Sequence, residues 1–126
     1  MPSNARTRLA AIITPMLPEK FRANVRAQTV ANIGTLDGPA VFIDYTKITH
    51  DGMPQGAMLD SFDVALVSSL TDYGMAEDEL DPAVRAFVRA IDPAPNLAWS
   101  ESNKRQLGDY LSWVVTVSFP TAAHQE

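Results

Sequence analysis

Hydrophobic positions along this chain follow two rhythms, a helical one and a strict alternation, and the switches between them divide it into elements. Leu9, Ile12, Ile13 and Met16 recur at the i, i+3, i+4, i+7 spacing of a one-sided helix. Ser3 is placed to cap it. Pro15 has no N–H to give and crowds the turn before it, so regular helix should end near Thr14. Phe21, Ala23 and Val25 alternate with Arg22, Asn24 and Arg26, which predicts a short strand. Thr29 to Leu36 shows no period, and Asp37-Gly38-Pro39 is a turn signal. Ala40 to Thr49 is rich in β-branched and aromatic residues and predicts a strand, apolar on both faces at its start and polar at its end. His50 to Gly56 holds two glycines and a proline and predicts a long exposed connection. In Met58 to Ser68, Phe62, Val64 and Leu66 alternate with Ser61, Asp63 and Ala65, so residues 41–68 read as one extended β-hairpin.

The second half is read the same way. Thr71 to Leu80 is acidic and reads as a turn. Asp81 followed by Pro82 is the signature of a helix start, since proline's missing N–H costs nothing at the first position. Val84, Phe87, Val88 and Ile91 form the stripe of that helix, and Leu80 extends it backward. Asp92-Pro93-Ala94-Pro95 ends it. Leu97 to Glu101 predicts a short strand around Trp99, and residues 102–109 a polar loop. Leu111, Trp113, Val115, Val117 and Phe119 alternate with Ser112, Val114, Thr116 and Ser118 in a final strand, which Pro120 should stop. Residues 120–126 are then a mobile tail.

The order helix, three strands, helix, two strands predicts an α+β fold. The expectation is a single domain over residues 1–126. It has a mostly antiparallel sheet of four to five strands, two helices packed on one face, and a long β-hairpin. The opposite face of the last strand (Ser112, Val114, Thr116, Ser118) is neither core-like nor strongly charged, so it needs an explanation of its own.

Composition narrows the chemistry. A chain of 126 residues, 46% apolar, supports one hydrophobic core and is too short for two. Its longest apolar runs are a few residues, far short of the roughly 20 that span a bilayer, and the N-terminus does not read as a secretory signal. No membrane partner is expected. Without cysteine there is no disulfide, thiolate metal site or thiol nucleophile. His50 and His124 lie far apart, and neither a metal nor a cofactor is expected.

Charge is uneven. Arg6, Arg8, Lys20, Arg22 and Arg26 against Glu19 give residues 1–36 a net of +4, and the remainder carries the balance of a total of −5. A net negative chain is poorly suited to general nucleic-acid binding, which relies on neutralising phosphates. Asp72, Glu77, Asp78, Glu79 and Asp81 form the densest acidic group, but without the spacing of a calcium loop. Carboxylates ahead of a helix start are explained by its dipole. His50 beside Asp51 lies at a hairpin tip with nothing to shield it. No nucleophile elbow, dinucleotide fingerprint or phosphate loop occurs. Trp99 and Trp113 read as core or sheet residues, since no basic residues interleave with them to build a base-stacking platform. Nothing here makes an enzyme. The tip itself, His50, Asp51, Gly52, Met53, Pro54, Gln55 and Gly56, is either a solvated loop or a contact arm.

Taken in order, these segments resemble the tail terminator family of long-tailed bacteriophages. The resemblance runs over roughly residues 4–119. It is carried by the amphipathic helix Ala5 to Thr14, the strand opening Pro39-Ala40-Val41-Phe42-Ile43, and the return Phe62-Asp63-Val64-Ala65-Leu66-Val67-Ser68. The acidic helix entrance Ala76-Glu77-Asp78-Glu79-Leu80-Asp81, Leu97-Ala98-Trp99 and Tyr110-Leu111-Ser112-Trp113 complete it. Residues 19–36 match no pattern of the family. The resemblance implies a non-catalytic virion protein, made in the host cytoplasm and placed at the tail–neck junction. It implies a hexameric ring that caps the head-proximal end of the tail tube, stops tube polymerisation and offers a surface to the head-side connector. Its partners are then copies of itself, the tail tube protein and a neck protein, with DNA passing through the ring. Such a ring closes through two different patches. The expected contacts are Arg6, Arg8, Arg22 and Arg26 on one copy against Glu77, Asp78 and Glu79 on the next, and the hairpin tip on the tube or a neighbour. Another neck or head-completion protein, and more distantly a small cytoplasmic α+β binding protein or enzyme, are the competing readings.

Overall fold

The computed structural model describes residues 5–27, 35–50, 52–53 and 55–121. Ser3, Asp51 and Pro54 lie outside the described residues, as does the tail beyond Thr121. Helix α1 (Ala5–Ile13) buries Ala5, Leu9 and Ile13 and gives way to a 3-10 turn, Thr14–Met16, where Pro15 interrupts the α-helical ladder. The Thr14 hydroxyl donates to the Ala10 carbonyl at 2.6 Å and closes the last turn.

The alternation in residues 21–26 yields less strand than it predicts. Glu19–Asn24 is a 3-10 helix, and only Val25–Arg26 is strand, β1. The Phe21 N–H bonds to the Pro18 carbonyl at 2.9 Å. The Arg22 guanidinium gathers the carbonyls of Leu17 and Pro15 at 2.8 and 3.2 Å. These bonds coil the segment and swing Phe21 into the core.

Strands β2 (Ala40–Thr49) and β3 (Met58–Val67) form the expected hairpin, running from the Ala40–Val67 pair to Thr49–Leu59 with an irregularity between Tyr45 and Lys47. After helix α2 (Tyr73–Ile91) come β4 (Ala98–Leu107) and β5 (Tyr110–Thr121). The sheet order is β1-β2-β3-β5-β4. All neighbours are antiparallel except β1 and β2, so the α+β fold carries a mixed five-stranded sheet. β5 accompanies β3 along its whole length, from Val67–Ser112 to Met58–Thr121, so the hairpin is a three-stranded arm and only its tip stands alone.

Three predicted boundaries are corrected. Thr71 to Leu80 is not a turn: α2 starts at Tyr73, capped by Asp72, whose carboxylate accepts the Met75 N–H at 3.0 Å. Pro82 therefore lies inside the helix, and Asp81 is not its cap. Ala76, Leu80, Ala83, Val84, Phe87 and Ile91 form one uninterrupted buried stripe. Its burial outweighs the lost hydrogen bond at Pro82, and the Pro82 and Asp78 side chains are both exposed, on the side where water can serve the freed carbonyl. Residues 102–109 are not a loop: β4 runs to Leu107 and turns through Gly108, at φ 62°, and Asp109. β4 is an edge strand with mostly exposed side chains, so it needs no apolar alternation. Pro120 and Thr121 belong to β5 and not to a mobile tail, because β4 has ended opposite Ser118 and leaves no ladder there for Pro120 to interrupt.

Both helices pack on one face. Val41, Ile43, Phe62, Val64, Leu66, Val115 and Val117 meet the inner sides of α1 and α2 there. Phe62 is stacked between Tyr45 and Phe119, with ring centroids 4.7 and 5.6 Å away. Asp60, fully buried beside this stack, accepts the Tyr45 hydroxyl. The other face has its own smaller core of Ala40, Phe42, Ala65, Val67, Tyr110 and Val114 beneath Leu36. The parallel β1–β2 pair requires a long crossover, here residues 27–39. Its end lies over this second face, and the Leu36 N–H donates to the Tyr110 hydroxyl at 3.0 Å. That cover reaches Val114, while on the same face of β5 the Ser112 hydroxyl donates to the Arg105 carbonyl, Thr116 donates to Asp63 and Ser118 bonds with Ser61.

Candidate interaction surfaces

The hairpin tip is built from tight turns. The Met53 N–H bonds to the His50 carbonyl at 3.0 Å, and Gly52 and Gly56 take φ values of 71° and 86°, where a Cβ would be strained. His50, Gly52, Gln55 and Gly56 are exposed, and Met53 is half-buried. Below the tip, β1 pairs with Val41 and Phe42 alone, so among the described residues no strand covers β2 on that side beyond Phe42. Thr46, Lys47 and Ile48 are exposed there, Ile48 at 58%.

The four N-terminal arginines make bonds within the subunit or lie half-buried. Arg22 holds carbonyls, as above. Arg26 donates to the Asn24 side chain at 3.1 Å and lies 5.2 Å over the Phe42 ring. Arg6 reaches the Ala27 carbonyl at 3.5 Å, and Arg8 is half-buried.

The acidic residues stand on the first turns of α2 and diverge around it. Glu79 turns inward, accepts the Ser68 hydroxyl at 2.6 Å and pairs with Lys20 at 3.1 Å. Glu77 and Asp81 turn toward β4, where Lys104 lies 2.7 and 3.5 Å from them. The hydrogen bond that Lys104 donates to Glu77, with Asp81 beside it, holds the Lys104 pKa above its ordinary value. Asp78 is exposed. Among the described residues no three His, Asp or Glu side chains converge as metal ligands would. No helix among them is long and apolar enough to cross a membrane.

The structure adds a feature that the sequence pattern does not isolate. Between α2 and the β4–β5 hairpin lies an open groove of about 400 Å³. Val84, Val88, Trp99 and Trp113 give it apolar walls. Trp113 is half-buried against the main core and donates its indole N–H to Asp81 at 2.8 Å. Trp99 is not a core residue: it is 37% exposed and donates to Asp92 at 3.1 Å. Arg85 and Arg89, a turn apart on α2, form the rim. Neither has an ion pair or hydrogen bond among the described residues. The Ser102 hydroxyl in the wall is buried without a partner. The one sequence sign of this groove was an arginine pair at i, i+4 on the polar side of a helical stripe, and the alignment of β4 with α2 gives that pair its setting. A comparison with protein-family models finds none that matches the chain, and a comparison with curated proteins finds no match either.

Proposed function

We propose that this protein is a tail terminator of a long-tailed bacteriophage, a structural subunit that assembles as a hexameric ring on the head-proximal end of the tail tube. The distal half of β2 carries this reading: a long strand ends in an exposed tip, with Ile48 open to solvent and, among the described residues, no neighbouring strand on that side. Such a surface is suited to docking on another protein. The order of sequence segments adds the phage setting. In this role the ring blocks further tube subunits, offers its other side to a neck protein and lets DNA pass, with no bond made or broken.

Particles assembled without the protein test the role directly. The expected outcome is tails of uncontrolled length that do not join heads, and joined tails of uniform length would refute it. Replacing residues 50–56 by a short Gly-Ser turn should leave a folded protein that no longer caps purified tail tubes. Capping by that variant would remove the arm from the mechanism. A head-completion or connector protein would instead appear on the head side of the junction in virion images.

A further inference from the structure

We infer that the groove between α2 and the β4–β5 hairpin receives the first turns of α2 from a second copy of this chain, which makes the subunit contact head-to-tail. The inference deepens the ring reading and rests on it for closure. Two surfaces carry the argument. On the first turns of α2, Tyr73 is 50% and Met75 58% exposed, with Asp78 on the same end of the helix and without an ion pair among the described residues. In the groove, Trp99 presents exposed ring surface beside Arg85 and Arg89, which have no carboxylate partner among the described residues. Among the described residues, five large apolar side chains are exposed, and three of them, Tyr73, Met75 and Trp99, lie on these two patches.

The patches are opposite in charge, and both expose apolar surface. One is an apolar knob with an unpaired acid, and the other is an apolar groove with unpaired bases. The Ser102 hydroxyl, buried in the groove wall without a partner, offers a hydrogen bond to the phenol of an entering tyrosine. A subunit cannot fill its own groove. Met75 and Arg89 are on one continuous helix, about 21 Å apart along its axis at 1.5 Å per residue. The knob must therefore come from another copy. Because knob and groove are different surfaces, each subunit can give one contact and receive one, which generates a ring where the rotation closes.

Two variants test this. R85E/R89E disables the groove and leaves the knob, and M75R/D78R disables the knob and leaves the groove. All four side chains are exposed or on the groove rim, and circular dichroism checks that both variants fold. By sedimentation velocity the wild type should form species larger than a monomer, and each variant alone should lose them. Mixed one to one, the intact knob of the first variant meets the intact groove of the second, and the two altered surfaces are again opposite in charge, so the mixture should form species larger than a monomer that neither variant forms alone. Assembly of either variant like wild type, or a mixture that stays monomeric, overturns the contact. A wild type that caps tail tubes but remains monomeric at millimolar concentration overturns the contact and leaves the terminator role intact. A wild type that assembles through this contact but caps no tubes does the reverse.

Discussion

Replacing Pro82 with alanine should stabilise the protein. Pro82 lies inside α2, where it has no N–H for the Asp78 carbonyl and its ring crowds that carbonyl. Proline in a helix interior is about 3 kcal/mol less favourable than alanine. Alanine also loosens the unfolded chain, which returns about 0.4–1 kcal/mol. The net gain is about 2 kcal/mol, since Pro82 faces solvent and its replacement leaves no cavity. Unfolding entropy of about 2.1 cal/mol/K per residue over 126 residues gives about 0.26 kcal/mol/K, so Tm should rise by about 8 °C. Thermal melts followed by circular dichroism, with urea titrations alongside, read this directly. The competing arrangement, a helix that starts at Pro82, makes the opposite prediction. At a first helical position proline is already in its preferred geometry, so P82A would then be neutral or destabilising. Either result would refute the continuous helix, and with it the placement of Tyr73 and Met75 on a rigid knob. D72A supplies an independent check: it removes the cap on the Met75 N–H and should cost about 1 kcal/mol.

The remaining predictions probe the second core and the link from α2 to β4. Y110F leaves the buried Leu36 N–H without its acceptor and should cost about 1–3 kcal/mol in urea titrations; no loss would detach residues 35–39 from that face. K104M removes the cation shared by Glu77 and Asp81. A lysine whose pKa is raised on folding contributes stability below its unfolded value, here 10.5, and loses it as pH climbs through the higher folded value. The urea midpoints of wild type and K104M should therefore differ at neutral pH and converge above that range. A difference that persists into strong alkali, where the amine is neutral, would rule out as its source both the ion pairs and the cation–π contact with the Trp113 ring, 5.3 Å from the ammonium.

Much of the architecture was legible where burial imposes a period. The limits of β2 match the residues that suit a pleated strand, and the stripe of α2 matches its buried face, whereas in α1 Leu9 and Ile13 are buried but Ile12, on the same predicted stripe, is 39% exposed. The pattern misled where two signals competed. Asp81-Pro82 is a good helix start locally, but the stripe from Ala76 through Ile91 outweighs it once the sheet is present to bury that stripe. Residues 102–109 read as a loop because an edge strand has no apolar face to display.

The sequence by itself determined the elements with a buried face, the fold class and the lack of thiol chemistry, because hydrophobic spacing and residue identity are local properties. Only the tertiary structure decided which residues meet. It set Arg22 and Arg26 to bonds within the subunit, placed Leu36 over the Phe42–Tyr110–Val114 cluster on the second face of the sheet, and aligned Arg85 and Arg89 with two tryptophans from the β4–β5 hairpin. Such contacts join positions distant in the chain through strand order and register, and no local pattern encodes those.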